Sequence, residues 1–419
     1  MQTARIVSSM MSIRESVSRL PGAKTLRRIT QDHSVREAFF VFTLTRSLVF
    51  VIFILAGNLN LLPSAASDFP TPDREPIIAL TQVPLSQTLR ETMYRGDVTL
   101  YLHLATHGYE RHPFDIKKRE SAFYAFFPVY PMVLWVVSKL TDDVTMAGAA
   151  LSNLFFFLAL VFLHKLTKLF GYDDATADRA ILYLAIFPVS YFFSIPMTES
   201  LFLLLTVLSF YLAKRDHWVV AGGLGALASA TRVTGVVLLP SLVILYFQRH
   251  RPKPLNTRLD ALGLLIIPVG LLAYMFYSWH MTGNAWAFID AQAAWSRQTA
   301  FFIRPLFNYV MHAGEVAVPW NFQLLNFAAA GLTFVCVYLL VRRREWSLAL
   351  YALFTIVIPL SSNTLQSMAR YTMVIFPIYI ALATVGNSKR VDQVTRLVFV
   401  ALLALMTALF AAHFSMALA

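Results

Sequence analysis

The sequence has little charge. Of its 419 residues, 14% are charged and 57% are hydrophobic, whereas an average soluble domain is about 25% charged and about 45–50% apolar. Mean hydropathy is +0.60, so the apolar excess is spread along the chain. This composition excludes a disordered chain, a nucleic-acid-binding module and an ordinary soluble enzyme, and it predicts a polytopic membrane protein. The net charge of +12 then concerns which loops carry Lys and Arg, not a nucleic-acid partner. Cysteine is almost absent: Cys336, alone in an apolar run, excludes an intramolecular disulfide and a cysteine-rich metal site. Internal repeats and low-complexity tracts are missing. So is an Asn-x-Ser/Thr sequon, which favours a prokaryotic plasma membrane. The first 35 residues are basic and contain serine, but they hold neither an apolar core nor a small-residue cleavage site. They are therefore not expected to be a cleavable signal peptide. Glu15 and Asp32 count against a mitochondrial presequence.

Long apolar runs are present at 36–57, 146–168, 180–196, 198–213, 217–231, 235–248, 259–279, 322–341, 347–361, 371–386 and 395–415. A bilayer takes roughly 20 residues of helix, and these runs are read as about eleven transmembrane helices. A twelfth run, 121–140, carries Pro128 and Pro131, which are costly inside a helix. Charge arbitrates. With a cytoplasmic N-terminus and 121–140 not spanning, the cytoplasmic connections hold most of the Lys and Arg, among them Lys165, Lys214, Arg249, Arg342 and Lys389. The short outer connections hold Arg232, Arg297, Arg304 and Arg370. This is the bias expected of an oriented membrane protein. The segment 121–140 is therefore expected to be re-entrant or surface-lying, within a large first extracytoplasmic loop, 58–145. The expected organisation is a basic cytoplasmic N-terminus (1–35), a membrane module over 36–248, and a basic cytoplasmic loop (249–258). C-terminal membrane helices follow over 259–419, with an extracytoplasmic loop at 280–321.

Several runs are short. A helix over 235–248 would reach about 21 Å, against about 30 Å of hydrocarbon. The corners 196–199 and 231–235 are thus expected to dip below the membrane surface. Non-helical backbone at that depth needs protein or a watery cavity around it, so a polar cavity opening on the outer side is predicted.

The acids show where chemistry could occur. No Asp or Glu lies mid-helix in the eleven runs, and a proton-coupled transporter usually needs one. Outer acids are plentiful: Asp97, Glu110, Asp115, Glu120, Glu199, Asp290 and Glu315. This favours catalysis at the outer face over transport. Asp97 stands where a helix would begin and Gly108 where it would end, so Asp97 reads locally as an N-cap. The helix dipole would hold it ionised and oriented. His103 and His107, four apart, would share a face, but no third ligand stands at a diagnostic spacing. Arg232 and Arg370 stand at outer helix ends. They either snorkel to lipid headgroups or, if buried, need an anion, for which phosphate suits a guanidinium fork. Glu199 begins a helix and would cap it or pair with one of these arginines. Arg46, inside the first run, needs a partner within the bundle. The aromatics Phe123, Tyr124, Phe126, Phe127 and Tyr130 form an interfacial belt or line a lipid or sugar groove.

Four stretches, in order, carry a family likeness: RGDVTLYLHLATHGY, AFFPVYP, FPVSYFFSIPMTESLF with TRVTG after the next helix, and ARYTMVIFPIYIALA. From residue 95 to about 384 the chain resembles the PIG-V mannosyltransferase family, specifically its bacterial relatives. Those are GT-C-type glycosyltransferases that use polyprenyl-phosphate-linked sugars on the non-cytoplasmic side. The resemblance implies an all-α polytopic, GT-C-like fold, with short helices in the large first loop and the catalytic module in 36–248. It places the family's catalytic aspartate on Asp97. It matches Arg95, His107, Gly108 and Tyr109 to the same motif, Glu199 to the Thr-Glu-Ser corner, Arg232 to the Thr-Arg corner, and Arg370 with Tyr371 to the late Arg-Tyr pair. Gly96 precedes Asp97 where the family usually has Trp.

The implied reaction is inverting transfer of a sugar, mannose by family, from a polyprenyl-phosphate donor to a lipid or glycan acceptor. Asp97 would be the general base. Arg232 and Arg370, with Arg95 a further candidate, would hold the donor phosphate. His107 and Tyr109 would shape the acceptor side, and Glu199 would orient an arginine or a sugar hydroxyl. No cofactor and no divalent metal is expected. The partners are the lipid-linked donor, the acceptor and membrane lipids, with no nucleic acid. Two other classes stay open on residues alone: a transporter or flippase for lipid-linked sugars, and a non-catalytic subunit of a glycan-assembly complex.

Overall fold

The computed structural model describes residues 32–59, 84–250, 259–312 and 322–414. Outside the described residues lie almost all of the basic N-terminus, residues 60–83 of the first loop, most of the basic loop 249–258, and 313–321 with Glu315. Among the described residues there is no strand. The helices are α1 (His33–Leu59), α2 (Leu85–Met93), α3 (Asp97–His107), α4 (Arg119–Ala122), α5 (Val129–Ser138), α6 (Val144–Leu169), α7 (Asp174–Ala185), α8 (Glu199–Ala213) and α9 (Trp218–Ser229). They continue with α10 (Leu238–Arg249), α11 (Val269–Thr282), α12 (Ala287–Asp290), α13 (Arg304–Met311), α14 (Phe322–Arg342), α15 (Trp346–Leu360), α16 (Met368–Met373), α17 (Pro377–Val385) and α18 (Lys389–Ala411).

Among the described residues, five helical stretches are long and apolar enough to cross a bilayer: α1, α6, Leu259–Thr282 (a 3₁₀ segment running into α11), α14 and α18. Large apolar side chains stand exposed on them, such as Phe39 and Phe40 on α1, Phe276 on α11 and Leu397 on α18. Contiguous exposed apolar surface of this kind is what lipid covers. The chain is an integral membrane protein. The remaining apolar runs form shorter helices. α8, for example, has 15 residues and reaches about 22 Å, with side chains buried nearly all round.

Two runs expected to be single helices are broken. In 180–196, α7 ends at Ala185 and a 3₁₀ turn occupies Ser190–Ser194. Arg46 of α1 holds this break: it donates to the carbonyls of Ala185 and Ser190, each at 2.7 Å, and to the hydroxyls of Ser190 and Ser194. The partner that Arg46 needs is thus the exposed carbonyl end of a helix, where a cation is favourable. In 371–386, Pro377 starts α17 as its first residue and separates it from α16, the position where a missing N–H costs nothing.

The 121–140 run divides into α4, a 3₁₀ turn (Phe123–Ala125) and α5. With ten residues, α5 reaches about 15 Å, too short to span. Pro128 is its N-cap and Pro131 lies in its first turn, where N–H groups lack helical partners anyway. The prolines therefore start this helix rather than interrupt it.

α9 packs against Leu259–Ile266 and α11 at backbone contact. A Cβ on Gly222 would stand 1.9 Å from the Gly263 carbonyl oxygen, and one on Gly270 1.9 Å from that of Ala226. Neither backbone can yield as a side chain could. Gly222→Val is expected to cost at least the ~1–3 kcal/mol of an overpacked core, read as a lower thermal midpoint in detergent. Gly223→Val on the same helix, where a Cβ meets nothing within 4 Å, should be near neutral.

Candidate active site

Asp97 begins α3, and its geometry is set by the residue before it. Gly96 has φ 53° and ψ −136°, a region essentially closed to residues with a Cβ. The glycine found where the family usually has Trp is thus matched to this backbone. Asp97 is the first helical residue, not the N-cap, and its side chain caps nothing. The capping expectation is corrected for a physical reason: the carboxylate is turned to a cation, with Oδ2 accepting from Arg370 Nη1 at 2.6 Å.

Arg370, on α16, is shared. Its Nε donates at 2.6 Å to Oε1 of Glu199, the first residue of α8. The same oxygen accepts from Arg232 Nη1 at 2.9 Å. Arg232 precedes the 3₁₀ turn Val233–Val237 that leads into α10. A chain of alternating charge therefore runs Arg232–Glu199–Arg370–Asp97. Glu199 is fully buried, and its Oε2 has no hydrogen-bond partner. Aromatic faces cover the cations. Arg370 lies over Phe192 at 5.1 Å, and Arg232 over Tyr371 at 5.2 Å. Arg297 approaches Tyr371 as well, donating to its hydroxyl at 2.8 Å and to Gln292 Oε1 at 2.9 Å. The strand-like segment that carries Arg297 is pinned to the end of α15 through Ala300 N–H to Ser361 O at 2.9 Å.

Apart from the fully buried Glu199, these groups line one cavity of about 580 Å³, the size of a small-molecule site. Its polar side holds Arg95, Asp97, Arg232, Arg297, Arg370 and Tyr371. Phe126, Phe127 and Trp295 contribute apolar wall. Arg95 donates to the carbonyls of Phe410 and Phe414 at the end of α18, the helix terminus that welcomes a cation. Burial lowers its guanidinium to about 10, against a smaller raising influence from Tyr191, so it stays charged at neutral pH. Among the described residues neither Arg95 nor Arg297 has a carboxylate partner. Four guanidiniums thus meet two carboxylates.

Not every expected residue arrives here. Tyr109 donates its hydroxyl to Phe126 O at 2.6 Å and packs on Tyr124 and Tyr277. It braces the wall from behind and does not line the cavity. His107 is exposed in a separate surface recess, stacked on His103 at 4.5 Å, with Thr106 Oγ1 against its Nδ1 at 2.7 Å. The acceptor-side roles expected of both residues are corrected accordingly. Arg370 is also less free for a phosphate than expected, because two of its donors serve carboxylates. Arg297, noted in the sequence only as a loop charge, is the addition. Its distance of 74 positions from Tyr371 left no local signal.

Removing one partner from a buried ion pair strands the others at roughly 3–5 kcal/mol. Glu199→Gln is expected to lower the thermal midpoint sharply, because Arg232 loses its carboxylate and Arg370 loses one of two. Asp97→Asn should cost much less. Asn keeps an oxygen for Arg370, and the Asp97 side chain is 25% exposed.

No curated protein matches the chain. Among solved structures it is similar to an oligosaccharyltransferase of Archaeoglobus fulgidus, with 13% identity, 75% of this chain and 47% of that chain covered, and a TM-score of 0.40. It is also similar to that archaeal protein in complex with an inhibitory peptide and a dolichol-phosphate, with 13% identity, 87% and 55% covered, and a TM-score of 0.39. The chain spans about half the length of these structures. The family model for Mannosyltransferase (PIG-V) matches residues 36–251, which takes in Asp97, Glu199 and Arg232. On that match, over half of its length, the chain belongs to the PIG-V mannosyltransferase family.

Proposed function

We propose that the protein is a GT-C-type membrane glycosyltransferase that moves mannose from a polyprenyl-phosphate donor to a lipid or glycan acceptor at the extracytoplasmic face. The observation that supports this most is the cavity's charge: a partly exposed carboxylate beside four guanidiniums, two of them without a carboxylate partner. That surplus fits a phosphate ester whose charge grows as its C1–O bond breaks. It has little use in a passive scaffold.

The reaction on this reading is a single displacement. The acceptor hydroxyl oxygen attacks the anomeric carbon, the bond to the phosphate oxygen breaks, and polyprenyl phosphate departs with the electron pair. Configuration inverts. Asp97 takes the hydroxyl proton, for which Oδ1 is available: the ion pair with Arg370 uses Oδ2. The ion pair with Arg370 fixes the direction of this carboxylate, and the barrier is lowered mainly at the leaving group. Arg297 and Arg232, both against the Tyr371 ring, hold the phosphate. Fixed donors in a site shielded from water stabilise that developing charge without reorganising. Arg370 acts chiefly through Asp97 and Glu199. The apolar wall of Phe126, Phe127 and Trp295 offers a surface for a sugar face or a prenyl chain.

Membranes holding wild-type protein, supplied with labelled polyprenyl-phosphate mannose, should yield a labelled product that identifies the acceptor. Asp97→Asn should lower the rate by about 10²–10⁴ at unchanged expression, far more than its small loss of thermal stability accounts for. Equal transfer by wild type and variant would rule out the base. Arg297→Gln should lower kcat/KM for the donor about 10- to 100-fold, the worth of a charge-assisted hydrogen bond. An unchanged kcat/KM would place the phosphate elsewhere.

A further inference from the structure

A second cluster of chemistry-bearing side chains lies at the other end of α6 from the cavity. His33 opens α1, His164 lies near the end of α6, and Asp178 is in the second turn of α7. His33 Nε2 stands 3.1 Å from Asp178 Oδ1, and His164 Nε2 stands 2.9 Å from the same oxygen. All three atoms fall within 4.8 Å of one another. His164 is fully buried, while the side chains of His33 and Asp178 are 38% and 31% exposed. The cluster is thus anchored on one side and open to solvent on the other.

Two nearby lysines are paired, and Arg36 Nη2 stands 3.4 Å from Nδ1 of His33, the ring nitrogen not turned to Asp178. Lys165 bonds to Asp32 at 2.7 Å and Lys168 to Asp174 at 2.6 Å. Asp178 is different: among the described residues its ion-pair partners are the two imidazoles alone. A carboxylate and two imidazoles from three helices, aimed at one point with no lysine or arginine on the carboxylate, make the donor set of a transition-metal site.

We propose that His33, His164 and Asp178 bind a divalent transition-metal ion of the zinc class, with water completing the coordination, and so staple α1, α6 and α7 together. Zinc bonds of about 2.0–2.2 Å in a tetrahedron set neighbouring donors about 3.3 Å apart. The separations of 3.1 and 2.9 Å from Asp178 Oδ1 need to open by only a few tenths of an ångström, while the two imidazole nitrogens, within 4.8 Å of each other, draw together around the ion. His33, half-exposed at the first residue of its helix, can supply that movement. The ion enters between groups that otherwise share hydrogen-bond protons, so neutral imidazoles are required and binding weakens in acid. Nothing in this assignment depends on the transfer reaction.

The test uses the full chain in detergent, with any affinity tag removed, stripped with chelator and titrated with zinc by calorimetry and with cobalt by visible absorption. Wild type is expected to take up one ion per chain and to gain in thermal midpoint. His33→Gln and Asp178→Asn should each bind at least about tenfold more weakly and lose the zinc-dependent gain. His33→Gln keeps the test sound if Asp178→Asn folds poorly, because its side chain is partly exposed. His107→Gln, at the exposed histidine stack, should behave as wild type. The site is overturned if wild type takes up no ion, or if both variants bind as tightly as wild type, which is adventitious binding only.

Discussion

Glu199 is a buried carboxylate that two arginines from distant parts of the chain neutralise. It stands at the start of α8, just after the buried corner Pro196 to Thr198. Arg232 comes from the next corner, after α9, and Arg370 from a short helix more than a hundred residues later. Charges of this kind, deep in an apolar bundle, are tolerable only together. Their mutual need fixes where α8, the α9–α10 corner and α16 meet, and Arg370 carries the constraint on to Asp97. The candidate site is therefore a consequence of how the bundle neutralises its own interior. Two further cations, Arg95 and Arg297, remain in surplus.

The same logic governs the rest of the apolar half. Helices that end inside the bundle leave backbone polar groups without helical partners, and several such ends have a visible solution. Arg46 closes the carbonyl end of α7, Arg95 closes that of α18, and Pro377 begins α17 where no donor is needed. Close glycine contacts let α9 and the stretch from 259 lie against each other without side chains between them. The five long helices then present apolar faces to lipid, while the broken and shortened ones leave room for a cavity.

Much of this was legible in the sequence. Composition announced the membrane, and Asp97, Glu199, Arg232, Arg370 and Tyr371 were all singled out before the structure brought them together. The limits of α3 were legible too, because Gly108 ends it with φ 74°. What failed did so for identifiable reasons. Hydropathy does not distinguish one helix from two with a break, so 180–196 read as continuous. Arg46 has the partner within the bundle that the sequence called for, but in carbonyls and hydroxyls rather than a carboxylate. Capping preference pointed to Asp97, but the turn at Gly96 moved the helix start by one residue and freed its carboxylate. Tyr109 and His107 share a motif with Asp97 without sharing its cavity, since ten residues of helix carry them away from it. Arg297 and the His33–His164–Asp178 cluster depend on contacts between distant segments that no local pattern records.

The most direct test of the central claim is a double-mutant cycle on thermal stability. It uses Asp97→Asn, Arg370→Gln and the double variant, each measured in the same detergent. If the ion pair couples α3 to the Glu199 centre, the double variant should be less destabilised than the sum of the single variants, by at least about 1 kcal/mol. Additivity within about 0.5 kcal/mol would contradict the account, because Asp97 would then be held in place by something other than Arg370.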